Sequence, residues 1–516
     1  MVQTDVIARE ARAGVRQWVA LMVLTLVIVL LAVDATVLAL AIPALTEALS
    51  PSATQVLWIG DAYSFAIAGL LVTMGNLADR IGRKRLLLIG AVAFGLASIV
   101  AAFAPTAAML IAARALLGVA GATIMPSTLA IIRDMFRDAQ QRTLAIAVWS
   151  VGFTVGAAAG PLVGGALLEH FWWGSVFLIN VPVIVASVAL GIFLLPESRS
   201  ARPGPIDIAS SLLSVVAIVP VVYAIKQVAK GQLGLDAALA VVVGVAAAWV
   251  FVRRQRALEV PLVDIALFRV PAFSGAIAAN LVSIFAFSGL IFFFSQYLQL
   301  VRDFSPFQAG LGELPLSIGS VLVVAFIALI VARFGQGRAV GAGLVAVAVG
   351  LAGLAAAEAL PGYAWIAVAL AVIGVGIGVS TAVATDAVVA AVPRDRAGAA
   401  SSISEMAYEL GVALGIAVLG SVHTAMYRGA LELPQGTPAP LRSAAGESLP
   451  QLSSAAHAAG GSEAVLEAGR EAFTIAMQQA SIVAAVLVAI AAVIAWRVIP
   501  SARAARYSGR DGGSPR

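Results

Sequence analysis

Six carboxylates and one guanidinium stand in stretches of sequence that are otherwise almost wholly apolar: Asp34, Asp61, Glu313, Asp386, Glu405, Glu409 and Arg114. An ionisable group at the centre of a bilayer costs about 2.5–3.5 kcal/mol even on the mildest insertion scale, so each of these invites a functional explanation. Glu405 and Glu409 are spaced i,i+4, which on a helix puts them on one face a single turn apart. Two carboxylates so close, out of water, compete for protons. A carboxylate in an apolar cavity also attracts a lipophilic cation, so one site can hold a proton or a cation in alternation. Aromatic ring faces attract quaternary ammonium groups. Tyr63, Trp149 and Tyr408 are candidates for such a pocket, whereas Trp58 and Tyr297 fit the aromatic belts usual at membrane interfaces.

Depth sorts the charged residues. At about 1.5 Å per helical residue, Asp34, Asp61, Glu313 and Arg114 lie roughly 10 Å below one membrane surface. Asp386 and Glu405 lie at a similar depth from the other surface, and Glu409 is near the middle. Plainer explanations compete for some of them: an ion pair between Asp34 and Arg114, a snorkelling Asp386, and a Glu313 that caps a kink at Pro315.

The elements that must position these groups are membrane helices. Of 516 residues, 61% are apolar and 11% charged, and the mean hydropathy is +1.00. Soluble domains carry about 25% charged residues, so lipid must cover much of this chain. Apolar runs long enough to span fall at roughly 18–41, 55–78, 85–104, 107–132, 143–168, 174–195, 206–225, 235–252, 272–298, 306–332, 338–358, 363–391, 399–425 and 472–498. That predicts fourteen transmembrane helices, an all-α polytopic protein. Most loops are short; the exception, 427–471, is rich in Ala, Ser, Gly and Pro, with a helix-like stretch at Glu463–Phe473.

Orientation follows from the 32 basic residues. With the N-terminus inside, 25 fall on cytoplasmic segments, among them Arg80, Arg83, Lys84, Arg85, Arg202, Arg394 and Arg396. Six fall outside (Lys226, Lys230, Arg302, Arg428, Arg442 and Arg470), and Arg114 lies within a span. This bias predicts that both termini, residues 1–17 and 499–516, are cytoplasmic. The net charge of +5 is spread over loops with no clustered face for nucleic acid.

A weak internal repeat is also present. Ser50-Pro51 recurs as Ser305-Pro306, Arg80-Ile81-Gly82 as Arg333-Phe334-Gly335, and Arg142 as Arg396. The offsets of about 254 residues predict two copies of a six-helix unit, 18–195 and 272–498, with two helices (206–252) inserted between them. Parallel repeats of this kind commonly place a substrate site between the halves.

Three motifs then stand in order. Gly75-Asn76-Leu77-Ala78-Asp79-Arg80-Ile81-Gly82-Arg83-Lys84-Arg85, after the second span, has glycines for a tight turn and an acid among bases that can act as a breakable latch. Arg114-Ala115-Leu116-Leu117-Gly118 sits in the fourth span. The fifth span carries Gly152, Gly156, Gly160-Pro161 and Gly164-Gly165, a smooth stripe for close helix packing with a proline that loosens the helix. Together these resemble the signatures of the major facilitator superfamily: its G-x-L-a-D-r-x-G-r-k loop, its intramembrane arginine and its antiporter motif. Asp34-Ala35-Thr36-Val37, Trp58-Ile59-Gly60-Asp61-Ala62-Tyr63, Trp173 through Pro182 and Glu405-Met406-Ala407-Tyr408-Glu409 are similar to the fourteen-helix drug:proton antiporters of the QacA type. The likeness covers residues 18–498.

The resemblance implies a major facilitator fold and efflux of lipophilic cations in exchange for protons. It implies that Asp34, Asp61, Arg114 and Glu409 serve proton coupling. Cationic substrates would meet Glu405, Glu409, Asp61, Glu313, Tyr63, Tyr408 and Trp149. Gly75, Asp79, Arg80, Gly82, Arg83, Gly152, Gly156, Gly160 and Pro161 would serve the conformational gate. The chain departs from the pattern in having Ser404 before Glu405, which leaves a spaced rather than an adjacent acidic pair.

No enzyme is expected. None of the three lysines follows a glycine, so there is no Walker A loop, and His170, His423 and His457 are too far apart for an HExxH-type site. The proton gradient replaces any cofactor. The expected partners are protons, small lipophilic cations and membrane lipids, with no nucleic acid, for a monomer in the bacterial plasma membrane. Export of a single antibiotic or metabolite stays open as an alternative, although only Arg114 then offers a basic group in the cavity; import is a further alternative.

Overall fold

The computed structural model describes residues 13–199, 207–229, 234–392, 397–459 and 463–499. The expectations for residues 1–12 and 500–516, and for Arg202, Lys230, Arg394 and Arg396, fall outside these residues. Among the described residues, fourteen helices are long and apolar enough to cross a membrane, as the apolar runs predict.

The first eight are α1 (Val15–Leu49), α2 (Ala53–Ile81), α3 (Arg83–Ala102), α4 (Ala107–Met135), α5 (Ala139–His170), α6 (Ser175–Leu194), α7 (Ile208–Ala229) and α8 (Leu235–Ala257). Then come α9 (Pro271–Leu300), α10 (Pro306–Phe334), α11 (Gln336–Ala357), α12 (Ala364–Ala390) and α13 (Ala397–Ala430). Two short helices, α14 (Ala439–Glu447) and α15 (Leu449–Ala458), precede the last span, α16 (Glu463–Val498). Within the segment 427–471, α14 and α15 form a helical hairpin, and the helix-like stretch at 463–473 is the start of α16. Pro315 sits inside α10 without ending it; the helix tightens into a 3₁₀ turn further on, at Val323–Phe326.

Pairwise packing shows the repeat. In the first half α1 packs on α5, α2 on α4, and α3 on α4 and α6; in the second, α9 packs on α13, α10 on α12, and α11 on α12 and α16. Helix starts fix the register. Ser52 caps α2 by accepting from Gln55 N at 3.3 Å, and Gln55 Oε1 returns the bond from Ser52 N at 2.9 Å. Ser305 and Gln308 form the same capping box on α10, at 3.2 and 3.0 Å. Gly82 and Gly335, both with positive φ, separate the following helices in each half. Ser52, not Ser50, is thus the counterpart of Ser305, and the serine cap joins Arg80/Arg333 in a single register.

The halves meet through α2 with α13, α5 with α10, and α1 with α9. Several hydrogen bonds between the six-helix halves lie toward the face at which α2 and α10 begin. Gln299 Nε2 donates to the Leu40 carbonyl at 3.1 Å, and Glu169 Oε2 accepts from Ser305 Oγ and Phe307 N at 3.1 and 3.3 Å. From the α14–α15 hairpin, Glu447 Oε2 accepts from Ala53 N at 3.2 Å and Gln451 Nε2 donates to the Pro51 carbonyl at 2.5 Å. The inserted α7 and α8 pack on one another, and α7 touches both α2 and α13.

Candidate functional site

A cavity lies between the halves. Each helix presents it with one stripe. From α2 come Gly60, Tyr63 and Ser64, and from α13 Tyr408, Glu409, Val412 and Ile416, spacings of three and four residues that keep one helical face. The first half adds Arg114, Phe153 and a stripe of α1 that includes Leu31 and Ala35, with Phe287 and Phe292 opposite. The Phe153 and Tyr408 rings meet edge to face across the cavity, centroids 6.1 Å apart. Glu409 is buried in this apolar wall, beside Ser64, and no ion pair joins it among the described residues. Glu405 is half-buried one turn away and is not part of this wall.

Asp34 does not face the cavity. It is fully buried, with Oδ2 taking Arg114 Nη1 at 3.0 Å and Oδ1 taking Asn180 Nδ2 at 2.8 Å. Arg114 also donates through Nε to the Ile59 carbonyl at 3.2 Å and lies over the Tyr63 ring at 4.7 Å. Asn180 opens the second segment of α6, just after the helix breaks at Ile179, and also reaches Ser98 Oγ at 3.1 Å. This network ties α1, α4 and α6 together behind the cavity and leaves Arg114 and Tyr63 to face it.

Asp61 was expected beside the substrate, and the structure places it elsewhere. One residue along a helix turns the side chain by about 100°, so with Gly60 on the cavity Asp61 points toward α7. There its Oδ2 accepts from Lys226 Nζ at 2.8 Å, both side chains wholly buried, and Nζ stands 3.7 Å from the centre of the Trp58 ring. Lys226 was counted among the external loop residues. It lies instead three residues inside the end of α7, and Trp58, expected at the membrane interface, is its partner. A lysine near a helix end reads as positive charge in water; only the fold shows it turned inward.

Glu313 is buried within the second half, near the Ser295 hydroxyl and with no ion pair among the described residues. It does not line the central cavity. Asp386 accepts from Gln336 Nε2 at 2.8 Å and ties α12 to α11. Trp149 Nε1 donates to Thr128 Oγ1 at 3.2 Å, linking α5 to α4 away from the cavity wall. Tyr297 donates to the Glu358 carbonyl at 3.2 Å.

The loop motif forms a clamp within the first half. Arg83 Nη2 meets Asp79 at 2.7 Å and Nη1 meets Asp134, at the end of α4, at 2.5 Å; Arg80 is exposed. Glu197, just after α6, accepts from Lys84 N at 3.3 Å. Asp134 and Glu197 were not foreseen, because each is one acid among several in polar loops. Gly82 has φ +116°, and a Cβ there would come within 2.5 Å of Glu197 Oε1. Gly82→Ala is expected to cost about 1–3 kcal/mol, read as a lower thermal midpoint of the purified protein. Gly75 is less constrained, its nearest neighbour being Pro126.

The glycine stripe of α5 seats it on α1. A Cβ on Gly156 would stand 2.5 Å from the Val29 carbonyl oxygen, and one on Gly152 would strike Thr25. Gly160 faces Thr36 and Val33. Only the far end of the stripe crosses between halves, where Gly165 meets the Pro306 carbonyl and the Pro161 carbonyl meets Gly310. Gly156→Val is accordingly expected to separate α5 from α1 and sharply reduce folded yield, measured by size-exclusion chromatography.

Comparison with known proteins agrees with this architecture. Residues 24–416 match the Major Facilitator Superfamily. The chain is similar to the multidrug efflux pump LfrA of Mycolicibacterium smegmatis, 46% identical over 94% of this chain and 96% of that one. It is 36% identical to the methyl viologen resistance protein SmvA of Salmonella typhimurium, over 89% and 93%. In fold it resembles a bacterial homologue of the human lysosomal transporter Spinster, solved in an inward-facing, unoccupied conformation. The TM-score is 0.67 at 18% identity, covering 95% of this chain and 98% of that one. The chain therefore belongs to the major facilitator superfamily, as a multi-pass membrane transporter with fourteen candidate spanning helices.

Proposed function

We propose that this protein is a proton-coupled antiporter that expels lipophilic organic cations across the bacterial plasma membrane by alternating access. The observation that carries the reading is Glu409: a buried carboxylate without a cationic partner, in a cavity walled by Tyr63, Tyr408, Phe153 and Phe292. Aromatic faces and one negative charge are the chemistry that holds a greasy cation, and a carboxylate that binds a proton in the cation's place supplies the exchange. The efflux of several drugs by LfrA and the methyl viologen resistance of SmvA, 46% and 36% identical to this chain, point the same way. With the termini in the cytoplasm, the face held shut by Glu169, Gln299 and the α14–α15 hairpin is the outer one. The cavity then loads from inside or from the inner leaflet.

Energetics favour exchange. Moving a monovalent cation outward against 100 mV costs about 2.3 kcal/mol, and one entering proton cancels that charge movement. Everted membrane vesicles with an acidified lumen are expected to accumulate ethidium only when they contain this protein, and to release it when a protonophore collapses the gradient. Accumulation that ignores the protonophore rules out proton coupling. A growth profile across mono- and dicationic biocides in a pump-deficient host separates broad cation export from export of one antibiotic.

A further inference from the structure

The cation site on the outer flank of α2 already has an occupant. Trp58 and Asp61, one turn apart on that helix, present an indole face and a carboxylate to the same point. Lys226 Nζ fills that point, at 3.7 Å from the ring centre and 2.8 Å from Oδ2. Trp58 packs against an apolar cluster in the same seam: Phe65 from α2, Val222 from α7, and Ala413 and Ala417 from α13. The second carboxylate oxygen, Oδ1, is buried with no hydrogen-bond partner among the described residues, so the receptor has acceptor capacity that its occupant does not use. Both receptor groups belong to the first half of the protein, whereas the ammonium arrives on a helix inserted between the halves.

We propose that this seam between α2, α7 and α13 is a second cation site, built for a primary ammonium and occupied by a tethered one, the Lys226 side chain. The inserted pair is held to the transporter by a ligand–receptor contact as well as by apolar packing, with the lysine as a covalently attached alkylammonium. The same contact keeps Asp61 neutralised and out of reach of whatever solute the central cavity carries. Carboxylate chemistry in the cavity is left to Glu409. The inference does not depend on which solute is transported, because the seam and the central cavity use different faces of α2: Gly60, Tyr63 and Ser64 on one, Trp58, Asp61 and Phe65 on the other.

The test is to remove the tether and supply the ligand. In Lys226→Ala the vacated space, three carbons and the nitrogen, matches one n-propylammonium ion. Millimolar n-propylammonium is expected to raise the thermal midpoint of purified Lys226→Ala by several degrees. It is expected to leave the wild type and Asp61→Asn/Lys226→Ala unmoved, and n-propanol is expected to leave all three unmoved. An equal shift in the double variant, an equal shift with propanol, or no shift in folded Lys226→Ala would overturn the proposal. If Lys226→Ala does not fold, the neutral isostere Lys226→Met carries the test. It is expected to melt below the wild type, and Asp61→Asn/Lys226→Met to recover that loss. Equal loss in both variants means the contact is packing alone and also overturns the proposal.

Discussion

Glu409→Gln is expected to abolish the release of protons that accompanies ethidium binding to the purified protein, and to reduce ethidium export to the background of empty vesicles. The amide keeps the shape of the side chain beside Ser64, so packing in the cavity wall is preserved. It removes the one feature that makes proton and cation exclusive, a charge that either can neutralise. Among the carboxylates within the spans, Asp34 and Asp61 already hold a cation from the protein, Arg114 and Lys226 respectively. Glu409 holds none and faces the cavity. Cation affinity is expected to fall at least about tenfold, or about 1.4 kcal/mol, read by fluorescence titration. Glu405→Gln is the control. It lies off this wall and is expected to retain proton release, so the assignment fails if the two variants behave in the opposite sense.

Asp34→Asn has the second large effect, and its two consequences can be separated. Removing one partner of a buried ion pair leaves an uncompensated charge, which costs about 3–5 kcal/mol. In this variant the Arg114 guanidinium keeps the Ile59 carbonyl and the Tyr63 and Phe177 rings but no charge partner, so the thermal midpoint is expected to fall. Export is also expected to lose its response to the pH gradient, because Asp34 holds in place the guanidinium that faces Glu409 across the cavity. The double variant Asp34→Asn/Arg114→Gln removes both charges and is expected to regain most of the stability without regaining the pH response. Recovery of both together would mean the pair is structural only. Recovery of neither would mean the buried network with Asn180 and Ser98, rather than the charge pair, holds this region together.

Much was legible in the chain by itself, for a physical reason. A bilayer demands about 20 apolar residues per helix, so the number of spans is written locally. The fourteen helices appear where the apolar runs predicted them, ends differing by a few residues, apart from the first and last spans, which run further. Periodicity is equally local: the glycines of α5 fall on one stripe by helical spacing alone, whereas the spacing that paired Glu405 with Glu409 did not show that only Glu409 lines the cavity. The repeat was visible too, although its register at α2 needed the serine caps, since Ser50 and Ser52 look equally able to begin a helix in print.

What only the tertiary structure decided is which charge meets which. Asp34 and Arg114 are 80 residues apart in sequence, Asp34 and Asn180 146, and Asp61 and Lys226 165. A helix fixes the phase of each side chain on its own axis, but the neighbour it faces is set by how bundles close and where an inserted helix docks. Asp61 and Glu409 therefore look alike as buried acids in sequence. One is neutralised by a lysine that composition assigned to water, and the other is left free in a cavity between two halves.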